Sequence, residues 1–215
     1  MLAMDTSSAH GVVGVVSGNV VLSERLEDVP GASSEGLLPM VRDCLDGAHV
    51  GLREIDAIVV GRGPGSFTGT RMALATAKGF ALGLGIPIVS VSSIEAAALD
   101  AGVDGIVAIA LDAKKGEFLV AAYRCGPSVV RVGGREMETR AAMPVLDPML
   151  CALERAMEAV RGIGADRVIG IPGDAGPLIS GPLPLCWVAL ARMSRGERDD
   201  PDTVEPVYSR PPPGG

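Results

Sequence analysis

The stretch Gly61-Arg62-Gly63-Pro64-Gly65-Ser66-Phe67-Thr68-Gly69-Thr70-Arg71 constrains this chain more than any other. Just before it, residues 55–60 (Ile-Asp-Ala-Ile-Val-Val) read as a short buried strand rich in β-branched residues. Just after it, Met72 to Leu84 reads as a helix crowded with Ala and Gly. Glycine reaches positive φ and lets another backbone come close, so Gly61, Gly63, Gly65 and Gly69 demand a tight, crowded turn. Gly65 or Gly69 is a candidate position for positive φ, and alanine there would then be destabilising. Pro64 stiffens the loop, and Ser66 or Thr68 is placed to cap the helix. A helix start with free N–H groups is also a ready anion site.

Counting tests the known phosphate motifs. In the G-x-x-x-x-G-K-[ST] template, Pro64 falls where the first glycine belongs and Thr70 where the lysine belongs. In G-x-G-x-x-G, Thr68 stands at the last glycine and Gly69 comes one residue late. Both templates fail. The loop reads as a tight turn packed against a neighbour.

Elsewhere the patterning alternates strands and helices. Met1–Asp5, Val12–Val16 and Val20–Leu26 form a three-strand meander, followed by a helix over residues 34–48 with Pro39 near its start. Ile86 to Val91 is a strand, and Ser92-x-x-Glu95 a capping box for a helix ending at Asp100. The order then begins again after Gly102-Val103-Asp104-Gly105. Ile106–Asp112 and Glu117–Tyr123 are strands; Gly126-Pro127-Ser128 turns into a third, Val129–Val132. A helix is expected from Asp147 to Arg161, a strand at 168–171 and a helix from Leu185 to Met193. The predicted division is therefore residues 1–104 and 105–215, with Asp5 and Asp112 in matching places.

Composition narrows the function classes. The net charge is −7, and residues 1–107 carry six basic against twelve acidic side chains. Nucleic-acid affinity rests on Lys and Arg neutralising phosphates. With six aromatics there are also few stacking platforms, so any tRNA contact is expected to be indirect. No apolar run is long enough for a membrane span, and without a basic start or a small-residue cleavage site no signal peptide is expected. Cys44, Cys125, Cys151 and Cys186 are scattered without a C-x-x-C, which fits reduced thiols in the cytoplasm. The two histidines, His10 and His49, are too far apart to be a local metal pair, so no metal site is expected.

Residues 61–71 resemble the GRGPGSFTG-x-R signature of the TsaB (YeaZ) family. Further matches run in that family's order: residues 2–6, 37–41, 91–93, 111–117 and Glu205-Pro206-Val207-Tyr208-Ser209-Arg210. The resemblance implies an α/β fold of the duplicated ribonuclease H-like, actin-like ATPase type, with a reduced second lobe. It also implies a non-catalytic subunit that dimerises with the threonylcarbamoyl transferase subunit TsaD and works with the ATPase TsaE. That machinery forms N6-threonylcarbamoyladenosine in ANN-decoding tRNAs, and its ATP and metal belong to the partner subunits. Ser33 stands where many members carry His.

Two sets of side chains follow from the resemblance. In nucleotide-binding relatives of the fold, turns like Asp5-Thr6 and Asp112 hold phosphates; here they are expected to be vestigial. Gly173-Asp174-Ala175-Gly176 is similar to an adenosine loop only as a short Gly/Asp turn. The family places the dimer contact on the helices flanking the glycine loop, giving Leu37, Met40, Val41, Cys44, Met72, Ala75 and Ala77 as candidate interface residues, for a homodimer as for TsaD. A single lobe's sheet is expected not to bury all of them. The alternatives are a small actin-like ATPase or kinase using Asp5 and Asp112, and a paralogue serving another partner.

Overall fold

Strand alternation decides which side of the first sheet each residue serves. On β1 (Leu2–Asp5), Leu2 and Met4 join one core cluster while Ala3 joins another. The computed structural model describes residues 1–28, 34–170 and 177–210. β2 (His10–Ser17) and β3 (Val20–Asp28) complete an antiparallel meander with β1. β4 (Ile58–Gly61) and β5 (Ile88–Val91) add in parallel, giving the order β3-β2-β1-β4-β5. The helices are α1 (Ser34–Ala48), with Pro39 inside it, α2 (Phe67–Leu84) and α3 (Ser93–Asp100).

The second half repeats the plan on a smaller scale. β6 (Gly105–Asp112), β7 (Glu117–Val132) and β8 (Arg135–Ala152) are antiparallel, and β9 (Arg167–Ile169) pairs parallel to β6. The order β8-β7-β6-β9 matches the first four strands of the other sheet. α4 (Leu153–Gly162) precedes β9, and α5 (Leu183–Ser194) follows it. This is the duplicated ribonuclease H-like, actin-like fold. Among the described residues, no helix is long and apolar enough to cross a membrane.

Five layers result. α1 and α2 cover the Leu2, Met4, Val13 and Ile58 face of the first sheet. α3 and α5 lie between the sheets, in one core that joins Ala3, Val59 and Val89 to Val107, Ile109 and Leu119. α4 covers the far face of the second sheet, against Ala108, Val120 and Ala122. The chain beyond α5 then returns to the first sheet, where Asp199 bridges Ile88 and Val204 is buried beside α2.

Two expectations in the second half need correction. Gly126-Pro127-Ser128 is no turn: β7 runs straight through it, with Pro127 opposite Arg140. The turn falls at Gly133-Gly134 (φ 57° and 79°), where the left-handed pair matches the strand twist of a tight hairpin. Residues 147–152 are strand, not helix, because Leu150 and Met149 pair with Leu119 and Val120. Only residues 153–162 of the apolar stripe form α4, with Ala156 and Val160 buried. Pairing with a partner strand outweighed the local helical period.

Candidate functional site

Three segments far apart in sequence meet at the glycine loop. Ser66 caps α2, its hydroxyl accepting the Gly69 N–H at 3.2 Å. Thr70 Oγ1 donates to the Ser66 carbonyl at 2.8 Å. Thr68 is exposed and forms no cap. Within the loop, positive φ occurs at Gly63 (85°), not at Gly65 or Gly69, and the Gly63–Pro64 peptide is cis.

Gly61, Gly65 and Gly69 serve close approach instead. A Cβ at Gly61 would lie 1.7 Å from Asp5 Oδ2, one at Gly65 would lie 2.2 Å from the Ser7 carbonyl oxygen, and one at Gly69 would lie 1.9 Å from the Thr6 carbonyl oxygen. The loop therefore closes over the turn at Asp5-Thr6-Ser7. Ser66 N–H donates to the Ser7 carbonyl at 2.6 Å, and Thr6 Oγ1 donates to the Gly69 carbonyl at 2.7 Å.

Asp5 is buried at the centre of this arrangement. Its Oδ1 accepts the Ser7 N–H at 2.7 Å, and its Oδ2 accepts Ser93 Oγ–H at 2.5 Å. Ser93 Oγ in turn accepts the Gly63 N–H at 3.0 Å. Burial pushes the Asp5 carboxyl above its ordinary value, against the pull of the Ser93 and Ser7 hydrogen bonds. Ser93 lies in the matching segment 91–93, but the sequence assigns it no role. The signal was its place one residue after the Ser92 cap, which holds Glu95 N–H at 3.4 Å.

Asp112 occupies the matching turn but a different environment. Its Oδ1 accepts the Lys114 N–H at 2.7 Å, just as Asp5 accepts from two residues on. Yet Asp112 is exposed, and the Lys114 backbone and ammonium hold its carboxyl below the ordinary range. Lys114, Lys115 and Gly116 all take positive φ in this turn.

The C-terminal segment ties the two turns together. Val207 N–H donates to the Arg62 carbonyl at 2.8 Å. The Tyr208 ring lies 5.0 Å from that of Phe67, and its hydroxyl accepts Arg71 Nε–H at 2.6 Å. The Arg71 guanidinium also sits 3.9 Å from the Phe67 ring centre, a cation–π arrangement. Arg210 pairs with Glu117 and donates to the Lys114 carbonyl at 3.0 Å. The segments quoted for the resemblance are thus neighbours in space.

The candidate interface residues need a correction. Leu37, Met40, Val41, Cys44 and Ala77 are buried in the core between α1, α2 and the first sheet. Met72 is half-buried, and only Ala75 is exposed. One sheet face suffices because Leu2, Met4, Val13, Val15, Ile58 and Val60 all point to it. The outer face of α2 instead presents Ala75, Gly79, Leu82 and Gly83, and Leu38 is the exposed apolar residue of α1. His10 opens β2 and lies 3.0 Å from Asp28. Among the described residues no cluster of three His, Cys, Asp or Glu side chains could hold a metal ion. Ser33 and residues 173–176 lie outside the described residues.

These features define a class first: an actin-like, two-lobe protein whose glycine loop is occupied by its own β1–β2 turn. The family model for TsaD, tRNA N6-adenosine threonylcarbamoyltransferase, matches residues 27–143. The Haemophilus influenzae protein named tRNA threonylcarbamoyladenosine biosynthesis protein TsaB is 30% identical over 175 residues, covering 78% of this chain and 70% of that protein. The Escherichia coli protein of the same name is 36% identical over 128 residues, 58% of this chain and 54% of that one, so the match spans about half its length. The solved structure of YeaZ from Pseudomonas aeruginosa aligns with a TM-score of 0.72 at 28% identity, over 96% of this chain and 98% of that one. The chain belongs to the TsaB (YeaZ) family.

Proposed function

We propose that this chain is a non-catalytic subunit in N6-threonylcarbamoyladenosine formation on ANN-decoding tRNAs, docking onto the transferase subunit TsaD. The observation that carries this reading is the filled glycine loop. The Ser66 N–H donates to the Ser7 carbonyl, the Gly69 carbonyl accepts Thr6 Oγ1–H, and Asp5 is held by Ser93, so the chain's own first turn packs against the loop where a phosphate would otherwise approach. ATP and metal then belong to the partner subunits, with TsaE the ATPase. The names of the related proteins support the pathway.

Docking is assigned to the outer face of α2. Ala75, Gly79 and Gly83 recur every four residues and are exposed, which lets a second helix approach closely. A homodimer through the same face would compete with the TsaD contact. Sedimentation of the wild type and Gly79→Arg, each alone and mixed with the transferase subunit, tests the assignment. The variant should stay folded and lose the complex. Normal complex formation by Gly79→Arg would place the contact elsewhere. Steady ATP turnover by the isolated chain, abolished in Asp5→Ala, would favour the kinase reading instead.

A further inference from the structure

A second polar site adjoins the glycine loop at Arg62. A cavity of about 460 Å³ opens between α3, α5 and the β8 strand, within the size range of small-molecule sites. Arg62, Glu95, Arg140, Arg192, Arg195 and Glu197 line it, so four guanidinium groups face two carboxylates in a chain of net charge −7. None of Asp5, Thr6 and Asp112 contributes to its wall. It is therefore distinct from the paired Asp turns.

The charges are unevenly satisfied. Arg192 is paired with Asp199 at 2.9 Å and Glu197 at 3.1 Å, and Arg195 with Glu197 at 2.5 Å. Arg140 uses one terminal nitrogen on Asp104 (2.6 Å) and the Val103 carbonyl (2.7 Å), while its buried Nε has no partner. Arg62 goes further: among the described residues its guanidinium makes no hydrogen bond or ion pair, and its Nε is buried. The Glu95 carboxylate likewise accepts no hydrogen bond among the described residues, and burial pushes its carboxyl up against the pull of Arg195 and Arg192.

Buried N–H groups without acceptors are costly and rare. Arginine presents a planar fork of donors that matches the paired oxygens of a carboxylate or phosphate. A carboxylate beside that fork needs a donor of its own. We propose that this cavity binds a small organic oxyanion, carboxylate or phosphate, through Arg62 and Arg140, with Glu95 accepting an N–H or O–H of the same molecule. The apolar walls at Leu99 and Val188 fit a ligand with a carbon skeleton better than a bare ion.

Calorimetric titration of the full chain with inorganic phosphate, AMP, succinate and L-aspartate tests this. At least one of the three organic probes should bind saturably, and AMP against the two acids separates a phosphate from a carboxylate source. Arg62→Met should weaken that binding by roughly tenfold or more, as expected for a lost charge-assisted hydrogen bond. Arg155→Ala, on the exposed face of α4, should leave it unchanged. Glu95→Gln should weaken L-aspartate relative to succinate if a carboxylate is bound, and weaken AMP if a phosphate is. Circular dichroism checks folding, and Arg140→Met substitutes if Arg62→Met is unfolded. Absence of saturable binding by all three organic probes, or unchanged binding in the folded arginine variant, overturns the proposal. The isolated chain suffices, so the outcome is independent of docking to the transferase.

Discussion

Ser93 donates to Asp5 Oδ2 at 2.5 Å across 88 residues of sequence, and the same hydroxyl receives the Gly63 N–H at 3.0 Å. One side chain therefore joins the first turn of the chain, the glycine loop and the start of α3.

Removing it should be felt as lost stability. Ser93→Ala leaves a buried carboxylate oxygen and a buried N–H without their partner, which costs about 1–3 kcal/mol or more. Urea denaturation of the purified variant reads the change directly. A loss below about 0.5 kcal/mol would mean that Asp5 is held mainly by Ser7.

Asp5 also makes stability depend on pH, with a definite sign. A carboxyl raised above its ordinary 3.8 binds its proton more tightly in the folded state. Its contribution is thus fully present below the unfolded pKa and is lost as pH rises through the folded pKa. The unfolding free energy of the wild type minus that of Asp5→Asn should fall across this window. A difference that rises with pH there would contradict the burial argument.

The glycines of α2 and its loop should respond in opposite directions. Gly69→Ala drives a methyl group onto the Thr6 carbonyl, 1.9 Å away, and should destabilise by roughly 1–3 kcal/mol or prevent folding. Gly83→Ala meets nothing within 4 Å on the helix surface and should stabilise by ~0.5–1 kcal/mol. Thermal melts of the two variants decide the matter. A neutral Gly69→Ala would show that the loop can move off the Asp5 turn.

All four cysteines are free and buried. Desolvation pushes the thiols of Cys44 and Cys125 up to about 11 and that of Cys186 up to about 12. At neutral pH they remain thiols, and the thiolate is the reactive form. A chromogenic disulfide reagent should label the native chain slowly and all four positions once denatured. Rapid stoichiometric labelling of the native chain would refute this.

The link between the C-terminal segment and the second lobe should be weak but measurable. Arg210 and Glu117 form a partly exposed pair, for which coupling of about 0.2–1 kcal/mol is typical. A double-mutant cycle with Arg210→Ala and Glu117→Ala isolates it. Zero coupling would mean that the Lys114 carbonyl alone holds Arg210.

Local patterns were legible where local physics dominates. The partial alternation of β3, a cap for α2 at Ser66 or Thr68, the cap at Ser92 and the repeat of Asp5 at Asp112 could all be read directly, because each depends on residues within a turn or a strand. The glycine loop announced close approach, but not to what. Gly61, Gly65 and Gly69 meet Asp5, Thr6 and Ser7, residues more than fifty positions earlier, and only the parallel pairing of β1 with β4 brings them together. The same holds for Tyr208 on Phe67 and Arg71. For α1 and α2, the apolar stripe was visible, yet the number of its residues that one sheet face can cover is a matter of packing. Residues 147–152 carried a helical period and became strand, because hydrogen bonding to β7 is a non-local term absent from any sequence window.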